Sequence, residues 1–350
     1  QELSYYEGQM IPPHSQDYAI PAMFSQTAGA IVNMNHLLGS YTSLNITAGT
    51  ILYENWNRIR SEDGGYIGDG ASPTYWLHEY IPPALIEDSV GFYYKGLHRN
   101  VWHDSKAIVT TASAGLDYSP NPRFRLKAGV AGKYYDLYQY NVFYVSPGVS
   151  YLSLWNAWPT NLAAYSQVRY KFSGGVVTTA GVRADYFDAN TSVFSTEEGT
   201  GTNVDPKVHI SPRFSFSVPF SERSLFFATY GHYFQMPPMN SLYLHTTYNT
   251  GAERVIAGNP DLEPELTVLF EAGIRQELDS YSDVALSIYN KDITGLVSTE
   301  NSNEGVFYVF ENDDSHGNVR GLELSLSRRQ GSNLSGQLFY ALSVAQGRYS

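Results

Sequence analysis

Cysteine is absent from the 350 residues, which removes both a disulfide framework and any thiolate metal site. Equally absent is a run of about eighteen apolar residues, so no segment can cross a bilayer as a helix. Basic residues are scarce: 22 Lys and Arg stand against 34 Asp and Glu, for a formal net charge of -12. That balance argues against nucleic acid or anionic lipid headgroups as the main partner. The opening residues, QELSYYEGQM, lack the basic start and apolar stretch of a signal peptide. A removed signal or an internal piece of a longer chain would explain this, and both ends of the pattern described below favour the internal piece. Mean hydropathy is only -0.28. This leaves a membrane open, because a transmembrane barrel hides its apolar side chains at every second position.

What is abundant is alternation. The segment from Gly258 to Leu278 reads GNPDLEPELTVLFEAGIRQEL and begins with the turn residues Gly258, Asn259, Pro260 and Pro264. Beyond it, Leu266, Val268, Phe270, Ala272, Ile274 and Leu278 fall on one face. Glu265, Thr267, Glu271, Gly273, Arg275 and Glu277 fall on the other; only Leu269 and Gln276 break the rule. A period of two over this length predicts a strand much longer than the usual five or six residues, apolar on one side and polar on the other. Other segments repeat the pattern. They include 22–36 with 44–52, 108–118 with 124–134, and 162–172 with 176–187. Further along come 208–218 with 225–234, the Gly258 strand with 284–288, and 322–326 with 334–344. The template predicts about twelve strands in six hairpins.

The connections alternate as well. Short turns lie near residues 39, 120, 174, 221, 280 and 331; long connections span 58–106, 139–161, 188–207, 235–264 and 295–317. Long loops all at one end are the mark of an outer-membrane barrel, with short periplasmic turns and a loop-built outer surface. The fold class expected is therefore all-β: an antiparallel transmembrane β-barrel, as a single region over 1–350.

At this point a family resemblance emerges. AGNPDLEPELTVLFEAGIR resembles the signature segment of TonB-dependent outer-membrane receptors, and Gly258, Asn259, Pro260, Leu262, Pro264, Glu265, Glu271 and Gly273 carry it. AAYSQVRYKFSGGVVTTAGVRADYF, ISPRFSFSVPFSERSLFFATYGHYFQMPP and NVRGLELSLSRR are similar to other hairpins of that family. They look most like the group with an N-terminal carboxypeptidase-regulatory-like domain. The resemblance is strong from Leu162 to Tyr349 and architectural before that. It implies a bacterial outer-membrane location. It also implies a solute ligand (siderophore, glycan, peptide or vitamin-like), a plug domain elsewhere in the parent chain, and a TonB–ExbB–ExbD-type energising complex. Family barrels have about 22 strands, so twelve imply an incomplete wall without its plug. Two open edges are expected. A non-energised porin or attachment barrel is the alternative.

Chemistry-bearing groups are few. His98, His103 and Asp104 (HRNVWHD) have poor metal spacing; His78-Glu79 lacks a second His. Gly64 to Gly70 has no flanking strand and helix for phosphate. Glu311, Asp313 and Asp314 miss the calcium-loop spacing. No catalytic set, metal or cofactor is expected, and the chain reads as no enzyme. Arg183, Arg213, Glu271 and Arg275 fall on the polar face and are expected to meet the plug. Tyr134 to Trp158 is crowded with aromatics. An interfacial girdle and a ligand-stacking surface both account for it, with Tyr144, Tyr151, Trp155 and Trp158 as the ligand-facing choices. The loop acids Asp188, Glu197, Glu198 and Asp205, and Glu300, Glu304, Glu311, Asp313 and Asp314, have no cation among them. They tilt the expectation away from anionic ferric chelates.

Overall fold

Valine, isoleucine, threonine and aromatics dominate the alternating segments, and such side chains pack well on a pleated surface. In the computed structural model they form one long sheet. The structure describes residues 21–59, 100–146, 149–194, 201–244, 246–248, 255–301, 307–312, 316–329 and 334–348.

The chain begins with four tall strands: β1 (Pro21–Gly39), β2 (Thr42–Ile59), β3 (Asn100–Asn121) and β4 (Phe124–Ser146). There follow β5 (Val149–Ala157), β6 (Thr160–Lys171), β7 (Val177–Asp188), β8 (Ser192–Phe194), β9 (Gly201–Asn203), β10 (Lys207–Ser221) and β11 (Ser224–Gln235). A short helix α1 (Met239–Tyr243) precedes β12 (Thr246–Tyr248) and β13 (Val255–Ala257). The last elements are β14 (Glu265–Glu277), β15 (Ser282–Thr294), β16 (Val297–Asn301), β17 (Phe307–Asn312), β18 (His316–Arg328) and β19 (Gly336–Arg348).

Twelve of these strands pair in the order β1-β2-β3-β4-β6-β7-β10-β11-β14-β15-β18-β19, with β5 and β12 attached to one side. Each is antiparallel to the next along the chain, the up-and-down meander of a barrel wall. Among the described residues β1 pairs only with β2 and β19 only with β18, so the sheet is open. The expected strand number and the expected open wall are both found. At 13 residues, β14 runs roughly 43 Å, or about 33 Å of height once tilted by about 40°. That height suits a hydrocarbon layer.

Register separates the two faces. Ser43, Asp117, Lys127, Gln167, Gly181 and Arg213 are successive partners across six strands. The next row, Leu44, Leu116, Ala128, Ser166, Val182 and Pro212, points the other way. On this second face Phe270 is 51% exposed, and Val182, Ile274, Leu286, Ile288 and Leu342 are exposed as well. Apolar side chains spread over a whole face need an apolar surrounding. At the short-turn end, rings meet edge to face along that face, with Tyr118 and Phe124 centroids 6.4 Å apart and Tyr170 and Phe172 4.8 Å apart. These form an aromatic belt at headgroup depth.

The short turns are closed by side chains that accept backbone N–H bonds. Asn121 Oδ1 accepts from Arg123 N (2.9 Å) and Phe124 N (3.1 Å), and Ser221 Oγ from Arg223 N (3.2 Å). Asp279 Oδ1 accepts from Tyr281 N (2.7 Å) and Ser282 N (2.8 Å), bonds that hold its carboxyl below the usual range.

One expectation needs correction. The stretch 139–161 is a paired hairpin, not a loop: β4 continues to Ser146, and β5 returns along it from Val149 to Ala157. Above the hydrocarbon both faces of the strand turn polar or aromatic, so the alternation disappears while the backbone pairing continues. The other excursions carry short elements too: β8 and β9 within 188–207, α1, β12 and β13 within 235–264, β16 and β17 within 295–317. Residues 60–99, which make up most of the first long connection, lie outside the described residues.

Candidate functional site

The inner face has two levels. Near the short turns it is ionic. Asp117 accepts from Arg125 Nε at 2.8 and 3.1 Å and is closely paired with the Arg125 Nη2, while Lys127 stands 3.9 Å away. Asp283 is almost fully buried and receives Arg275 at 3.0 Å, Ser327 Oγ at 2.9 Å and Arg329 at 3.6 Å. Toward the long-loop end of β7, Arg183 grips Asp185, two residues along the strand, at 2.7 to 3.0 Å. The Arg213 guanidinium lies 4.4 Å above the Tyr233 ring, a cation–π contact. Glu271 is on the same face, opposite Thr229 and Tyr289. Arg183, Arg213, Glu271 and Arg275 thus all point inward, but they are spread over β7, β10 and β14 and do not converge. Gly273 lies between Phe227 and the backbone: a Cβ there would meet the Phe227 ring at 2.5 Å and Leu286 O at 2.6 Å.

Farther from the short turns, the inner face carries a small hydrophobic core. Leu137, Ala157 and Phe187 of the wall are buried against Leu242, Tyr243 and Leu262, with Tyr135, Trp155 and Met239 packed around them. The segment bearing α1 is therefore folded onto the wall's inner side. The signature motif holds it there. Gly258 N donates to Leu244 O at 2.5 Å and Asn259 N to Ser241 O at 2.8 Å, and Asn259 Oδ1 accepts from Asp261 N at 3.0 Å. A Cβ on Gly258 would lie 2.6 Å from Leu242 C and O and Leu244 N, all backbone, so no side chain fits. Pro260, Leu262 and Pro264 are buried while Asp261 and Glu263 are exposed. Those acids clasp Lys207 at 2.6 and 2.8 Å. Asn312 ties in the next excursion, accepting from Glu263 N at 2.6 Å and donating to Glu263 O at 3.0 Å and Gly295 O at 3.1 Å. Glu265 then opens β14 opposite Gln235. Tyr243 OH donates to Ala189 O at 2.8 Å; burial pushes its phenol above the usual pKa, and Asp188 adds to the shift.

Alternation divides the aromatic run between the faces. Tyr134 and Tyr138 share the lipid-side face of β4; Tyr135, Leu137 and Gln139 take the inner one. Trp155, opposite Gln139, is inward and half-buried, its ring 5.7 Å from that of Tyr243. Trp158 is 44% exposed between β5 and β6. Tyr144 and Tyr151 lie in the β4–β5 hairpin, but their side chains are outside the described residues.

A pocket of about 230 Å³ lies beside Trp155, lined also by Thr27, Tyr53, Asn55, Ser105, Gln139 and Met239. Of these only Trp155 was singled out by sequence. Met239 belongs to α1, and the others occupy strand ends where the pattern fades, which leaves no signal to mark them. A larger, shallow trough of about 740 Å³ lies on the opposite face among Ala48, Ala112, Ala114, Gly132, Ala164 and Ala184. It is apolar and faces lipid, so it is no solute site.

His103 and Asp104 point to opposite faces of β3, and no metal-binding group of three acids or histidines exists among the described residues. His98, Gly64 to Gly70, His78, Glu197, Glu198, Glu304, Asp313 and Asp314 lie outside them, as does the side chain of Glu300.

The comparisons agree with this geometry. Residues 26–350 match the family described as TonB dependent receptor-like, beta-barrel. The chain belongs to that family. It forms part of the barrel of a bacterial outer-membrane protein, and the family is one of receptors and transporters. No curated protein matches it in sequence. Among solved structures, the FrpB iron transporter from Neisseria meningitidis is similar at 14% identity and a TM-score of 0.59, over 98% of this chain and 46% of that one. The outer membrane transporter YddB from Escherichia coli gives 12%, 0.60, 93% and 43%. The ferric yersiniabactin uptake receptor FyuA from Yersinia pestis gives 9%, 0.60, 94% and 44%. At such identity the likeness is one of fold. The chain spans just under half the length of these structures.

Proposed function

We propose that this wall belongs to a receptor that captures a scarce solute at its long-loop end and releases it inward when a plug in the lumen is moved by TonB-derived energy. The observation that carries the reading is the two-sided wall: an apolar outer face and, behind it, an inner face of fixed ion pairs and a folded-in segment. A lumen lined by oriented charges suits a protein body held inside it, and Arg183, Arg213, Glu271 and Arg275 are the contacts proposed for the plug. The inward α1 segment narrows the mouth and brings the excursions together as a capture surface. The partners implied are outer-membrane lipid, a plug of the same parent chain, the energising complex and a small solute.

The test is genetic. A strain lacking the receptor gene and a strain lacking the energising complex are compared for growth on single iron and carbon sources at limiting concentration. A shared defect on one source is expected. A defect in the receptor strain alone would show the reading wrong and favour a non-energised porin or attachment barrel.

A further inference from the structure

We infer that the pocket beside Trp155, under Met239, is a docking site for an uncharged, hydroxyl-rich moiety of about one sugar ring. The inference rests on the receptor reading and names its solute class. Three observations support it.

The first is the lining. Thr27, Tyr53, Asn55, Ser105, Gln139 and Trp155 offer hydroxyl, amide and ring groups and no formal charge. The charges at this level, Glu54 and Lys106, are register partners on the opposite face of the strands, and Gln26 bonds Glu54 there. A ferric chelate with carboxylate or catecholate oxygens needs cations, and the inward lysine of the rim, Lys207, is already clasped by Asp261 and Glu263. The ion pairs of Asp117 with Arg125 and of Asp283 with Arg275 lie farther off, near the short turns.

The second is a strip of buried polar atoms with no hydrogen-bond partner: His103 Nδ1, Asn141 Oδ1, Ser153 Oγ and Trp155 Nε1. His103, Asn141 and Ser153 are successive register partners across β3, β4 and β5. They form the row next to Ser105, Gln139 and Trp155 on the same face. Asn141 is 6% exposed and Ser153 1%. A buried polar atom without a partner is costly, and of these four residues Trp155 lines the pocket, so its N–H calls for an acceptor there. The indole N–H only donates, the amide oxygen only accepts, and the hydroxyl and imidazole nitrogen can do either. A hydroxyl both donates and accepts, so a polyol seated in the pocket can accept from the Trp155 indole N–H.

The third is size and shape. About 230 Å³ is room for roughly seven waters at about 30 Å³ each, comparable to one sugar ring with its hydroxyls. The Trp155 ring, braced by Tyr243, offers a flat apolar face to the ring carbons. β12 pairs with the edge of β5 through three register pairs, Thr246 to Tyr248 with Ser153 to Tyr151.

The test uses the full-length receptor purified from outer membranes. It is applied to an array of neutral and acidic oligosaccharides, and a panel of ferric siderophores is measured by filter binding. Neutral oligosaccharides are expected to bind. Trp155→Phe, which keeps a ring and removes the N–H, weakens the best of them about tenfold, the worth of one hydrogen bond. Gln139→Leu does the same, and Asn156→Ala, on the other face, changes nothing; heat-dependent gel migration checks that each variant is folded. An array without a neutral binder overturns the inference, as does one whose best binder ignores both Trp155→Phe and Gln139→Leu. Siderophore uptake that needs the energising complex and ignores both variants overturns the site and leaves the receptor reading intact. A sugar bound at Trp155 that enters without the complex keeps the site and overturns that reading.

Discussion

The belt and the rim of this wall are made of the same strands and obey different rules. In the belt, all twelve strands pair, the outer face is apolar and the inner face is ionic. In the rim, β3 and β4 run on to 22 and 23 residues, against 12 to 15 for β6, β7, β10 and β11, and the two faces grow alike. The difference shows that strand pairing and face chemistry are independent. Hydrogen bonding continues wherever two strands lie side by side, whereas alternation is needed only where one side meets hydrocarbon. The rim also has a core of its own, on the lumen side, around Leu262 and Leu242. The belt is held by its surroundings; the rim is held by packing.

Substitutions can break or sharpen this contrast. The largest effect is expected for Leu262→Ala, at a side chain 1% exposed in the rim core: a loss of about 3 kcal/mol. Limited proteolysis should then cut within 236–264 while the barrel keeps its heat-resistant gel migration. Loss of that migration would mean that belt and rim unfold as one unit. Phe270→Arg on the lipid side of the belt should cost about 2–3 kcal/mol in barrel refolding midpoint. Asn156→Arg, exposed in the rim, should cost almost nothing. Spin labels at Phe216 and Val268 should meet oxygen but not a water-soluble relaxant; equal access to both would end the lipid assignment.

Smaller effects concern the inner face. Arg213→Ala removes a cation–π contact worth about 0.5–1 kcal/mol and a proposed plug contact. In the parent protein it should raise uptake of a bulky antibiotic, and unchanged sensitivity would exclude Arg213 from plug contact. The smallest effect is at Asp279, whose carboxyl is held below its usual pKa by the Tyr281 and Ser282 amides. Its stabilisation is complete above about pH 4, the unfolded value, and fades as pH falls through the lower folded value. Asp279→Asn should keep the turn and flatten the response of the thermal midpoint between about pH 5 and 3; an unaltered response would assign it to other carboxylates.

How much was legible from residues alone follows from the same contrast. The belt strands are nearly all recoverable, because Leu266, Phe270 and Ile274 against Thr267, Glu271 and Arg275 repeat a period that no other structure needs. The inward direction of Arg183, Arg213 and Arg275 follows from that period. Asp185, two residues along from Arg183, shares its face by the same period; Tyr233 and Asp283 are not so placed, since they lie on neighbouring strands whose register the period leaves open. The Tyr134 to Trp158 run favoured a girdle over a binding surface, with Trp155 and Trp158 open to either. Pairing resolves it by giving Tyr134 to the lipid side and Trp155 to the lumen. The GNPDLEPE motif was readable as a marker of the strand that follows. That it docks α1 through Gly258 and Asn259 was not, because the contacts involve backbone rather than any residue type.

The amino-acid order by itself determined the class of fold, the strand count and which side of each strand avoids water. Local period and turn chemistry are enough for those. Only the tertiary structure decided where the strands go on beyond the hydrocarbon, which excursion folds into the lumen, and which buried polar atoms are left without partners. Each of these depends on side chains brought together across many residues, and a one-dimensional pattern carries no distance between them.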